Sequence, residues 1–275
     1  MVADGYGGEL SALRSYALCS NPRSGTTYLA SLLQSTGVLG FPCEWLRGDG
    51  GKAGDQYVSY PTDLEEQIQV MLRDGVSPNG VCALKMFPEH FDSTSGGRWA
   101  ERIPGLKFVH LIRRDVLGQA ISLSIARQTE SYAHWMPEQR PAVYSRDHIQ
   151  RCMDWLLAGD ARWRLFFASN GIAPLVVIYE DLCVDAQGVV SAIAEHVGVV
   201  QAKIGVQALE PRVQRDGRNR DWRERFVAEA GDLGVLPRAR VVTFAEHLWR
   251  PQDAPAAEQG WLRLPIVANA GPTGR

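Results

Sequence analysis

The residues best suited to chemistry begin with Pro22-Arg23-Ser24-Gly25-Thr26-Thr27, in a chain of 275 residues. An apolar run, Tyr16 to Cys19, precedes them, and a segment with helical spacing, Thr27 to Thr36, follows. The first backbone N–H groups of a helix have no intrahelical partner and carry partial positive charge. A turn of small residues lets a phosphate or sulfate approach them. Gly25 supplies backbone freedom, Thr26 and Thr27 supply hydroxyls, and Arg23 supplies a full charge. A capped helix after a proline turn would read much the same. The spacing of a nucleoside-triphosphate loop, GxxxxGK[ST], is absent, so no lysine–magnesium arrangement is expected.

Three more stretches carry groups of this kind. Residues 110–123, HLIRRDVLGQAISL, read as a strand end, Arg113, and a helix that brings Ser122 to the same side, with Asp115 as N-cap. Residues 214–226, QRDGRNRDWRERF, hold five arginines together with Gly217, a pattern that often marks only a solvated face. Residues 176–182, VVIYEDL, end an apolar run at Tyr179. Lys85 lies near the end of another apolar run, His90 stands five residues further on, and Glu44 lies in GFPCEW after the first helix. A carboxylate in an enclosed site can have its pKa raised enough to serve as a base near neutrality.

The elements that must position these groups follow from apolar spacing. Strands are expected at Tyr16–Cys19, Val81–Phe87, Lys107–Ile112 and Pro174–Tyr179, the last continuous in apolar residues as for a strand covered on both faces. Helices are expected at Thr27–Thr36, Leu64–Arg73, Val116–Gln128, His148–Ser169 and Ala186–Val197, with an irregular stretch over 129–146. The alternation predicts an α/β fold: one domain with a central parallel sheet flanked by helices. Residues 1–14 read as a flexible leader, 15–250 as the domain, and 251–275 as a Pro/Ala/Gly-rich tail.

Composition narrows the function classes. The 29 Lys plus Arg residues nearly balance 31 Asp plus Glu, which argues against a nucleic-acid or anionic-membrane binder. Only four of the 29 are lysines, so arginine, the better bidentate ligand of phosphate-like groups, dominates. Five scattered cysteines without a CxxC pair suggest neither a disulfide framework nor a metal site. No apolar run approaches the ~18 residues of a membrane span, and no signal peptide is visible, so a cytoplasmic location is expected.

Taken together, the four motifs resemble those of sulfotransferases that use 3′-phosphoadenosine 5′-phosphosulfate (PAPS), and most of all the bacterial trehalose 2-sulfotransferase type. PRSGTTYL is similar to the 5′-phosphosulfate loop, P-[KR]-S-G-[ST]-[ST]. The resemblance runs from about Tyr16 to Phe226 and implies a P-loop-like sulfotransferase fold. It implies that Arg23, Ser24, Gly25, Thr26 and Thr27 hold the 5′ end of the donor. By the same likeness Arg113 and Ser122 hold its 3′-phosphate, joined by Arg215 and Gly217, and Tyr179 lies against its adenine. The third motif departs from R-K-G-x-x-G-D-W at Asp216 and Arg220. The animal cytosolic enzymes carry K-x-H at the strand end, whereas this chain reads Lys85-Met86-Phe87. The base implied by the trehalose-type likeness is therefore Glu44, with His90 as the alternative. Lys85 and Arg23 would stabilise charge on the transferred group. The expected donor product is 3′-phosphoadenosine 5′-phosphate (PAP), with no metal. The acceptor would be a hydroxyl of a sugar or another small molecule, and relatives of this type form dimers. In the 129–146 stretch, Tyr132, Trp135 and Tyr144 would either stack on a sugar or aromatic ring or plug the core beneath it. A small-molecule kinase and a non-catalytic nucleotide-binding protein are the competing readings.

Overall fold

The structure, a computed structural model, describes residues 13–47, 61–94, 98–103, 105–132, 136–206 and 217–229. All of them fall in the unit Met1–Leu236. Four strands form its sheet: β1 (Arg14–Ser20), β2 (Val81–Met86), β3 (Leu106–Ile112) and β4 (Leu175–Ile178). They lie in the order β2-β1-β3-β4, and every pairing is parallel. Eight α-helices accompany them among the described residues: α1 (Thr26–Ser35), α2 (Leu64–Asp74), α3 (Pro88–Thr94), α4 (Val116–Thr129), α5 (Arg146–Ser169), α6 (Tyr179–Val184), α7 (Ala186–Val197) and α8 (Gly217–Ala228).

The period of two along β1 sorts its side chains between two cores. Tyr16 and Leu18 pack with Leu29 and Leu33 of α1 and Val190 and Ile193 of α7. Ala17 and Cys19 face the other way, onto Ile68 and Met71 of α2 and Trp163 and Phe167 of α5. A sheet covered on both faces needs such continuous apolar strands, and β1 and β2 are buried almost throughout. A third cluster joins α4, α5 and α8 through Ile121, Ile149, Trp222 and Phe226.

Three expectations are corrected here. β4 stops at Ile178 and is an edge strand; Val176 is 52% exposed, so this strand is not covered on both faces. Tyr179 opens the short helix α6 instead of closing the strand. Arg14, expected within the flexible N-terminal segment, belongs to β1 and pairs with Val81.

All four strands end on the same side. β1 lies at the point where the strand order reverses, and open parallel sheets bind ligands in the crevice beyond their carboxyl ends at such a point. The loops 20–25, 86–88 and 112–115 and the start of α6 meet there.

Candidate active site

The centre of the crevice is the turn between β1 and α1. Arg23 and Gly25 both have left-handed backbones, φ 65° and 89°. For arginine that conformation is strained and needs support. Support comes from inside: the Ser24 hydroxyl donates to the Asn21 carbonyl at 2.8 Å and is also bonded to Ser20. Ser24 therefore holds the turn with its side chain, leaving only its backbone to face a ligand. Thr26 is buried at the first turn of α1, and Thr27 is exposed.

The start of α1 differs from those of its neighbours. Asp63, Asp115, Ser145 and Asp185 each accept a backbone N–H at the starts of α2, α4, α5 and α7. α1 begins at Gly25 with no side-chain cap and no acidic residue in its first turn. Its amides and dipole are thus available to an anion. Gly25 is required there by space as well as by φ, since a Cβ would stand 2.3 Å from Tyr179 Cδ2.

Two arginines converge on this turn. Arg23 Nε donates to Ser122 Oγ at 2.9 Å, and Arg113 Nη1 donates to the Arg23 carbonyl at 3.1 Å. Burial, and then the Arg113 charge, pull the Arg23 guanidinium below its ordinary pKa. Two like charges held this close favour a bound anion. Arg113 lies 5.0 Å over the Tyr179 ring, and its buried Nε has no hydrogen-bond partner among the described residues. An orphaned, charged donor beside an uncapped helix start fits a phosphate or phosphosulfate group. Tyr179 itself is wedged between Gly25 and Arg113.

The 112–115 turn is braced from outside. Glu180 accepts from the backbone N–H groups of Arg114 and Asp115 at 3.1 Å each, and Asp181 pairs with Arg114 at 2.9 Å. Asp115 caps α4 through the Gly118 amide at 3.0 Å, as expected, and also pairs with Arg223 of α8. The residues following Tyr179 thus fix the backbone of the turn that carries Arg113. Sequence reasoning did not assign them that work; a signal was available in two acidic residues directly after a ligand candidate. α8 starts at Gly217. Arg218 and Asn219 join Arg23, Ser122, Thr129 and Glu138 around a cavity of about 210 Å³. Arg215 and Trp135 lie outside the described residues, while Tyr132 is half exposed and Tyr144 packs on Trp222.

On the β2 side stands a second cluster. Cys43 bridges Leu84, and the Lys85 amide donates to the Cys43 carbonyl at 2.8 Å, which extends the sheet past its edge. Trp45, buried and bonded through Nε1 to the Phe41 and Ala83 carbonyls, anchors this segment. Glu44 is thereby fixed beside Lys85, with Lys85 Nζ 3.3 Å from Oε1 and His90 Nε2 3.9 Å from Oε2. Burial alone would raise the Glu44 carboxyl, but Lys85, His90 and Arg47 outweigh it and hold the group below the ordinary carboxylate range. The raised pKa expected from enclosure is not found, because Lys85, His90 and Arg47 accompany the enclosure. Glu44 is an anion in this arrangement, ready to accept a proton but a weak base until its cations are drawn elsewhere. Glu89, next to His90, is pushed by burial above the usual range and has a buried Oε2 without a partner among the described residues.

Across the carboxyl ends of the sheet the order is therefore Glu44 and Lys85 on β2 and its edge, the anion turn on β1, Arg113 and Ser122 after β3, and Tyr179 after β4. No cluster of three or more potential metal ligands occurs among the described residues. No helix among them is long and apolar enough to cross a membrane.

A family model described as Stf0 sulphotransferase matches residues 15–229. The chain is 28% identical to the trehalose 2-sulfotransferase of Mycobacterium tuberculosis, over 82% of this chain and 98% of that protein. It is 25% identical to the trehalose 2-sulfotransferase of Mycolicibacterium smegmatis, over 80% of this chain and 97% of that protein. A solved sulfotransferase domain from the curacin biosynthetic pathway has 17% identity and a TM-score of 0.45, covering 75% of this chain and 79% of that one. The chain belongs to the Stf0 sulphotransferase family.

Proposed function

We propose that this member of the Stf0 sulphotransferase family moves the sulfuryl group of PAPS to a hydroxyl of a carbohydrate, with Glu44 as the general base. The observation that carries the reading is the Glu44–Lys85 pair standing beside an uncapped helix start flanked by two arginines. In-line transfer breaks the bond from sulfur to the phosphate oxygen and forms the bond from sulfur to the acceptor oxygen, while the acceptor loses its proton. The protein must orient the groups, stabilise spreading negative charge and take that proton.

The roles divide across the sheet. The α1 amides, Arg23 and Thr27 bind the 5′-phosphosulfate. Arg113 and Ser122 bind the 3′-phosphate, together with Arg215 and Gly217. Tyr179 borders the adenine. Lys85 turns from Glu44 toward the sulfonate oxygens, so the cation that holds Glu44 down in this structure lessens its hold as charge develops on the donor. Glu44 then becomes a stronger base at the step that needs one. The curated relatives carry trehalose in their names, and a disaccharide hydroxyl is the acceptor we propose for this chain.

The test is incubation with radiolabelled PAPS and trehalose, followed by separation of sulfated sugar. Sulfated trehalose that depends on both substrates is the expected result. With the label on sulfur, release of PAP and labelled sulfate without labelled sugar would point to another acceptor, and failure to bind PAP or PAPS would overturn the reading.

A further inference from the structure

Asp115 is shared between two arginines. Its Oδ1 accepts from the Gly118 amide at 3.0 Å and pairs with Arg223 of α8, while its Oδ2 stands 3.5 Å from Arg113 Nη2. Capping a helix asks for no arginine: Asp185 caps α7 through the Gly188 amide at 2.8 Å and has no ion pair among the described residues. Arg223 is therefore an addition, delivered by a helix that buries only Trp222 and Phe226. Gly118 leaves the room it uses, since a Cβ there would stand 2.7 Å from Arg223 Nη2.

The two arginines are held unequally. Arg223 is hydrogen-bonded to the carboxylate, whereas 3.5 Å is long for a hydrogen bond, so Arg113 feels Asp115 as a charge only. Burial alone would raise the Asp115 carboxyl, but the Arg223 bond, the Gly118 amide and the Arg113 charge together hold it below the ordinary carboxylate range. The neighbouring groups are already engaged: Arg114 pairs with Asp181, and Glu180 accepts the Asp115 N–H. Without Arg223, the cation left to Asp115 is Arg113. A carboxylate and a phosphate compete for the same guanidinium fork, since each takes two of its N–H groups in parallel.

We propose that Arg223 is a positioning residue: by occupying Asp115 from α8 it keeps that carboxylate from capturing Arg113 and leaves the Arg113 fork to the 3′-phosphate of the donor. This rests on the reading of Arg113 as a ligand of that phosphate. α8 thereby tunes the donor site through a side chain that acts on another side chain, one helix turn away from its own start at Gly217.

The experiment measures, by calorimetry on the full chain, how much more tightly each variant binds PAP than adenosine 5′-phosphate, with thermal melts to confirm folding. Arg223 is 40% exposed, and glutamine keeps most of its stem, so Arg223→Gln removes the charge at little cost to packing. Asparagine caps a helix as well as aspartate does, so Asp115→Asn removes the carboxylate and keeps the cap. Arg223→Gln is expected to lose about tenfold of the preference for PAP, Asp115→Asn to change it by no more than about threefold, and the double variant to return to within about threefold of wild type. A double variant as weak as Arg223→Gln would mean that Arg223 only anchors α8, and would overturn the proposal. So would strict additivity, with Asp115→Asn gaining about tenfold in the wild-type background as well, because a general field then accounts for both changes. Arg113→Ala separates the proposal from its premise. If that variant keeps the wild-type preference for PAP, Arg113 is not the phosphate ligand and the premise falls; if it loses the preference while Arg223→Gln keeps it, only the positioning role falls.

Discussion

At the scale of single residues, the site is a set of charges kept close by bonds that a ligand can outcompete. Glu44→Gln should lower turnover by about 100-fold or more while PAP binding persists, because it removes the proposed base and keeps the shape; calorimetry with PAP alongside the rate assay checks both halves. Arg113 presents a buried Nε with no partner among the described residues and lies over Tyr179. Arg113→Ala should therefore weaken PAP binding far more than binding of adenosine 5′-phosphate, which lacks the 3′-phosphate. Equal losses for the two ligands would remove Arg113 from the 3′ subsite. Neither residue's surroundings are visible in the text of the chain. Glu44 meets Lys85 only because Cys43 extends the sheet beyond β2, a pairing that no local pattern announces.

At the scale of elements, the anion turn works because Gly25 and Tyr179 occupy each other's space. Gly25→Ala places a Cβ 2.3 Å from the Tyr179 ring and asks alanine for φ 89°. The backbone part alone costs about 1–2 kcal/mol. We expect a lower melting temperature and weakened PAP binding, with Tyr179→Ala in the same chain relieving the steric share but not the backbone share; a double-mutant cycle in melting temperature measures the split. The strands β1, β2 and β3 were legible because buried parallel strands are written as mostly apolar runs. β4 is one residue shorter at each end than its apolar run, since Tyr179 continues the run in character although the helix α6 begins there. α8 was missed as a helix because it buries little besides Trp222 and Phe226, four residues apart in a stretch otherwise full of arginines. α3 was missed although Pro88 at its first position is a recognised helix-start signal, since seven residues give too little periodicity to count. The anion turn itself was read correctly as an element, strand then glycine turn then helix, because its chemistry is local.

At the scale of the whole molecule, burial sets how the fold responds to acid. His110 lies on β3 with Nε2 3.4 Å from Asp160 Oδ1 and its ring 5.3 Å from Phe167. Burial lowers its pKa to about 4 even against the pull of Asp160. A group depressed from 6.5 to about 4 stabilises the fold above the higher value and loses that contribution as pH falls through the lower one. Melts at pH 7, 5 and 4 should fall by an amount worth at most a few kcal/mol, and His110→Gln should flatten the drop between the first two. The order of the strands has a consequence for how the protein comes to exist at all. Arg14 pairs with Val81, Ser15 with Leu106 and Val109 with Leu175, so none of the three pairings is made by a hairpin and each must close a long stretch of chain. Chains dominated by such distant pairings fold slowly, and their helices form well before their sheets. The crevice spans all four strand ends, so the donor site we propose needs the closed sheet. PAP should thus leave the refolding rate of the chain unchanged and slow its unfolding, a split that stopped-flow measurements with and without PAP would read directly.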